Sequence, residues 1–279
     1  MRINLYTTPS VRKQPACYGY VTLLQHYFEG LPGSIVSQEN PDIIHFWGCW
    51  NWQMAQMAQK AVGRRIPYIF TPAEGLQPWN FRHGNSEKQL QATAYQRQMV
   101  REAACVHVFG PLEQEQLYAL RWITRSIIIP NPVISNAITP QQAAEAMEAL
   151  YRQTIEQHNK GIQEEIRQYV AHCQSQTHDI SSSPIWQLLE KILYVKYLYQ
   201  RQNIPLHVLQ ELCSFMTHSD YDESAMADLL KRQQLTLFTA QLEHAMSETV
   251  QLTEGFMPIP SVHDKTASKI IKLITRYPQ

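Results

Sequence analysis

His45 and Glu74 are the two side chains best placed to do chemistry: an imidazole and a carboxylate, each where a short apolar run gives way to a polar, aromatic-rich segment. An imidazole exchanges protons near neutral pH, and a carboxylate can act as a general base or accept from a substrate hydroxyl. They are the candidate catalytic pair. Trp47 and Trp79 flank them and can offer an aromatic face to the C–H face of a pyranose, as can Trp50 and Trp52. Arg82 and His83 can bind phosphate, and Arg12 and Lys13 can face an anionic acceptor such as a lipid diphosphate. Each also has a plainer reading. His45 can instead satisfy neighbouring backbone, the tryptophans can pack between sheet and helix, Glu74 can cap a helix or lie in solvent, and the basic residues can be solvated.

The elements that must position these groups lie between Pro41 and Trp79. Asp42–Phe46 and Ile66–Phe70 are apolar runs of strand length, and between them Trp50–Val62 has apolar residues at helical spacing. Gly63 is expected to end that helix in a left-handed conformation. Strand, helix and strand in about thirty residues predict a parallel crossover unit, whose working loops leave the carboxyl ends of the strands. Those loops are His45–Asn51 and Pro72–His83, so His45 and Glu74 are expected to converge at one sheet edge. Further strands are expected at Arg2–Thr7, Ser34–Ser37, Cys105–Phe109 and Ser126–Ile129. Helices are expected at Tyr18–Phe28, Ser86–Ala104 and Leu112–Leu120, with Thr8–Pro15 a polar loop. This alternation predicts an α/β fold, a doubly wound, Rossmann-like parallel sheet.

After Asn136 glycine nearly vanishes and Gln, Glu and Leu rise. Helices are expected at Pro140–Gln174 (one or a broken pair), Ile185–Gln202, Pro205–Thr217, Glu223–Ser247 and Asp264–Thr275. The expected organisation is therefore an α/β domain over 1–136 and an all-helical domain over 137–279. Net charge is zero, the first half mildly basic and the second mildly acidic, which argues against a general nucleic-acid binder. Cys17, Cys49, Cys105, Cys173 and Cys213 are scattered and odd in number, and neither they nor the histidines have metal-ligand spacing. No metal or cofactor is expected. The start of the chain has no signal-peptide core and no run reaches membrane-spanning length, so a cytoplasmic protein is expected, with peripheral membrane contact left open.

Four segments in order, MRINLYTTPS, PDIIHFWGCW, IPYIFTPAEGLQPWNFRH and SIIIPNPV, make residues 1–136 resemble the N-terminal half of a GT-B glycosyltransferase of the retaining family 4. The resemblance implies half of a GT-B fold that holds a glycan or glycolipid acceptor in polysaccharide or glycolipid assembly. It also implies a terminal helix, here 264–279, that returns to pack on the first domain. Gly19 stands where the family has a Gly-Gly turn near the donor, and Gly75 follows Glu74 where many members have a His before the Gly. The family's donor half should contain a Gly-rich turn and two glutamates eight apart. Glu148/Glu156 and Glu156/Glu164 have that separation, but they lie in a Gln-rich helical stretch with the lone glycine Gly161 and no Gly-rich turn. Two readings follow: an acceptor-binding half whose donor site comes from a partner chain, and a non-catalytic binding or scaffolding module.

Overall fold

Short apolar runs bounded by Pro, Gly and polar turns form one parallel sheet. Its strands are β1 (Arg2–Thr7), β2 (Ile35–Val36), β3 (Ile43–Trp47), β4 (Tyr68–Thr71), β5 (Cys105–Val108) and β6 (Ser126–Ile128). The computed structural model describes residues 1–77, 86–122, 125–177, 180 and 183–275. Trp79, Arg82 and His83 therefore lie outside the described residues. The strand order is β2-β1-β3-β4-β5-β6, and every neighbouring pair is parallel. The order reverses between β1 and β3, which makes that gap the switch point of a doubly wound sheet. Register places Trp47 opposite both Thr7 and Thr71, so β1, β3 and β4 end level with one another.

Helices cover both faces, which is why β3 is buried along its whole length and reads as an unbroken apolar run. Around the strands lie α1 (Pro9–Arg12), α2 (Pro15–Gly30), α3 (Trp52–Gly63), α4 (Ser86–Gln91), a π-helical turn (Ala92–Gln96), α5 (Arg97–Glu102) and α6 (Pro111–Ala119). The 37-residue α7 (Pro140–Gln176) follows, about 55 Å long at 1.5 Å per residue. On one face Tyr20, Leu24 and Phe28 of α2 and Ala143, Met147 and Tyr151 of α7 pack with Ile43 and Trp47. On the other, Met54 and Ala58 of α3, Met99 of α5 and Leu117 of α6 pack with Ile44 and Phe46.

The chain divides into two units, Met1–His158 and Asn159–Gln279. The division falls within α7 rather than near residue 136, because residues 143–151 supply one layer of the first unit's core. The second unit holds α8 (Ser183–Gln200), α9 (Leu206–His218), α10 (Glu223–Arg232), α11 (Thr236–Val250) and α12 (Lys265–Leu273). A single parallel pair joins β7 (Ile204–Pro205) to β8 (Ile274–Thr275). Its core gathers Leu188, Leu189, Leu209, Leu212, Leu229 and Met246 with Ile162 and Val170 from the end of α7.

Several expectations are corrected. The first loop contains a helical turn, α1, because Thr8 caps it by accepting from the Val11 N–H and Pro9 presets its first residue. The left-handed residue after α3 is Arg65, φ 54°, and Gly63 remains helical. The helix expected over Glu223–Ser247 is two, broken where Gln234 turns left-handed at φ 54°. The terminal helix packs within the second unit. Ile270 is buried in that unit's core, with Ile271, Leu273 and Ile274 beside it, and Asp264 caps the helix.

Candidate functional site

Level strand ends launch three loops side by side. The Thr8 N–H donates to the Trp47 carbonyl and the Gly48 N–H to the Thr71 carbonyl, which stitches their first residues together. Beyond these bonds the loops border an open crevice of about 220 Å³. It is lined by Ser10, Val11 and Gln14 after β1, by Gly48, Cys49 and Trp50 after β3, and by Pro72 to Gly75 after β4, with Lys88. This is the crevice at the carboxyl edge where open α/β sheets bind ligands.

Backbone conformation shapes the crevice. Gly48 has φ 103°, and a Cβ there would lie 2.2 Å from the Thr8 hydroxyl oxygen, so glycine alone lets the loops after β1 and β3 touch. Trp50, Ala73 and Glu74 are also left-handed, at φ 59°, 48° and 64°. Two consecutive non-glycine residues in that region cost on the order of 1–2 kcal/mol each and need external support. Trp50 Nε1–H donates to the Gly75 carbonyl at 2.9 Å, and the Cys49 thiol reaches the Pro72 carbonyl at 3.4 Å. A Cβ on Gly75 would meet Cys49 at 2.8 Å. Gln96, fully buried at the end of the π-helical turn, accepts from the Trp50 N–H at 2.8 Å.

Glu113 is the main brace. Its Oε1 accepts from the Glu74 N–H at 3.2 Å and its Oε2 from the Phe109 N–H at 2.9 Å, which ties the loop after β4 to the start of α6. Burial raises its pKa above the ordinary carboxylate value, opposed by these two bonds. Burial, then the charges of Glu74 and Glu113, push the Cys17 thiol up to about 11. Burial also holds the Cys49 thiol far above its usual range, so both stay protonated. Among the residues that line the crevice Glu74 is the carboxylate and Lys88 the cation.

His45 belongs to another structure. It is fully buried, lies two residues short of the strand end, and does not converge with Glu74. Its Nδ1 is 2.6 Å from the Tyr151 hydroxyl and its Nε2 is 2.7 Å from the Thr71 hydroxyl. Thr71 continues to His107 Nδ1 at 2.7 Å, and His107 Nε2 reaches the Ile129 carbonyl at 2.9 Å. A carbonyl only accepts, so His107 carries its proton on Nε2 and takes one bond from Thr71 O–H. Thr71 oxygen then accepts from His45 Nε2–H, and His45 Nδ1 accepts from Tyr151 O–H. The whole chain is satisfied with both rings neutral. Burial drives the pKa of His45 well below 6.5, with the neighbouring His107 adding to it, and burial lowers His107 to about 4.

The remaining candidates separate. Glu74, which is exposed, and Gly75 line the crevice. Trp47 is buried against Tyr20 and His45 and presents no face to a ligand. Trp50 is half-buried at the crevice wall, and Trp52 is exposed on α3 against Tyr95. Arg12 and Lys13 are exposed on the loop after β1, where Arg12 Nε donates to the Thr7 hydroxyl. Gly19 sits inside α2, where a Cβ would make an ordinary 3.5 Å contact with Val133. Residue-type reasoning missed Glu113, although a glutamate three residues after the helix-capping Gly110 is a position that reaches back to backbone N–H groups.

A doubly wound parallel sheet with a polar crevice at its switch point defines a Rossmann-like domain. Residues 2–132 match the family described as the glycosyl transferase 4-like domain, which supports a family-4-type glycosyltransferase N-terminal domain over that part of the chain. Neither the curated proteins nor the solved structures gave a match to the chain. Among the described residues no helix is long and apolar enough to cross a membrane.

Proposed function

We propose that the first unit is the acceptor-binding half of a glycosyltransferase of polysaccharide or glycolipid assembly, with the donor sugar held by a partner chain. The observation that carries this reading is the crevice at the β1/β3 switch point, lined by Glu74, Gln14, Ser10, Trp50 and Lys88 within a glycosyl transferase 4-like domain. Its small volume suits one ring of a glycan, whose hydroxyls would donate to Glu74 and accept from Lys88. Glu74 can also orient the reacting hydroxyl or take its proton, whereas His45, engaged through both nitrogens, serves the sheet. The described residues of the second unit are helices and one short strand pair, an architecture unlike a second nucleotide-binding sheet. That same architecture favours a second reading, a non-catalytic glycan-binding or scaffolding module.

Calorimetric titration of the chain with nucleotide sugars and free nucleotides tests the assignment to an acceptor half. The expected result is no saturable binding, since oriented backbone N–H groups at a helix N-terminus supply most of the affinity for a diphosphate. Saturable micromolar binding that disappears with substitutions in residues 159–279 would place a donor site in this chain and overturn the proposal. Transfer of sugar on adding a partner chain, lost in Glu74→Gln, separates the first reading from the second.

A further inference from the structure

The exposed face of α12 carries Lys265, Lys269 and Lys272, spaced four and three residues apart and so in one stripe about 10 Å long. With His263, Asp264 and Ser268 they line an open concavity of about 470 Å³. The acid among them is already engaged. Asp264 Oδ1 accepts from the Thr266 and Ala267 N–H groups and Oδ2 from Gln241. Lys269 lies 5.4 Å from the centre of the Tyr199 ring, and no carboxylate among the described residues forms an ion pair with the three lysines. Val262, immediately before His263, and Phe256 in the same connecting segment are exposed apolar side chains. The opposite face of the helix is committed to the core through Ile270.

We infer that this stripe is a docking surface for an anionic lipid bilayer. Lysines attract as point charges with no fixed fork geometry, which suits a layer of mobile headgroups better than a defined phosphate. Val262 and Phe256 can enter the headgroup layer while the lysines remain at its surface. The second half of the chain is acidic overall, so its attraction to an anionic plane is concentrated where this stripe of lysines stands. Because the apolar face of α12 is occupied, association is electrostatic and reversible, without helix insertion.

The test is vesicle co-sedimentation of the full chain at about 0.1 M salt, using phosphatidylcholine vesicles with and without about 30% phosphatidylserine and no glycolipid. Binding is expected only with phosphatidylserine, falling about fivefold for each lysine removed and about a hundredfold in K265Q/K269Q/K272Q. It should also be lost at 0.5 M salt. All three lysines are exposed, and an unchanged melting curve for the triple variant excludes unfolding as the cause. Equal binding by wild type and triple variant, or no binding of wild type to the anionic vesicles, overturns the inference. So does lysine-dependent binding of inorganic pyrophosphate or an oligonucleotide in place of vesicles. Because the vesicles carry no glycan, the outcome is independent of the acceptor assignment.

Discussion

At the scale of single residues the site depends on a few contacts with little tolerance. Gly48→Ala places a Cβ 2.2 Å from Thr8 at a φ that L side chains rarely adopt. It should destabilise the first unit by ~3 kcal/mol, read from urea unfolding, through overpacking plus strain. Glu113→Gln puts an amide N–H₂ against a backbone N–H in place of an acceptor, with an expected loss of ~1–3 kcal/mol. If that variant melts like wild type, Glu113 does not brace the loop. His45 shows where residue type alone stops, because both of its ring nitrogens are engaged within the buried sheet. Within IIHFW every residue of a central parallel strand is buried, so an imidazole there must be satisfied internally. Its partners Tyr151 and Thr71 lie 106 and 26 residues away in sequence, where no local pattern reveals them. Glu74 was legible because a carboxylate beside a glycine after Thr-Pro marks a strand-end turn.

At the scale of elements the sheet was legible and the joints were not. Five of the six strands are short apolar runs closed by Pro, Gly or polar residues, signals that depend on nearby sequence alone. Even the two-residue β2 fell within its expected segment. The π-helical turn that presents Gln96, the break at Gln234 and the division inside α7 follow from tertiary packing, and the local sequence continues smoothly through each of them. α7 offers a direct check. Gly161 is helical and exposed, and a Cβ there would meet nothing within 4 Å. Gly161→Ala should therefore stabilise the chain by ~0.5–1 kcal/mol, since alanine loses less backbone freedom on folding. A lower unfolding midpoint would show that this position needs glycine's freedom. α12, expected to return to the first unit, instead anchors Ile270 in the second. Removing residues 264–279 should thus lower the stability of the helical unit.

At the scale of the whole molecule the two units should respond oppositely to pH. His107, lowered to about 4 by burial, takes up its proton more readily when unfolded. That contribution to stability is complete above 6.5 and is lost as pH falls toward 4, about 3 kcal/mol in all. Glu243 in α11 is buried, and its carboxyl oxygens have no hydrogen-bond partner. Burial pushes it up to about 9, so folding keeps it protonated and the unit loses stability as pH rises from about 4.5 toward 9. At pH 7 the loss is ~3 kcal/mol. Trp186 is the one tryptophan after residue 158, so fluorine NMR of labelled tryptophans can follow the units separately during urea unfolding. From pH 5 to 8 the Trp186 midpoint should fall and the Trp47 midpoint rise, and Glu243→Gln should flatten the former. Midpoints that move together would show that α7 couples the units into one transition. The central claim is that the crevice at the switch point binds a glycan through Glu74. Its most direct test is calorimetric titration of wild type and Glu74→Gln with a panel of oligosaccharide acceptors at pH 7. The predicted result is saturable binding by wild type, weakened ~10–100-fold in Glu74→Gln by loss of a charged acceptor, with the melting temperature unchanged. Equal affinity of the two proteins for every glycan that binds would contradict it.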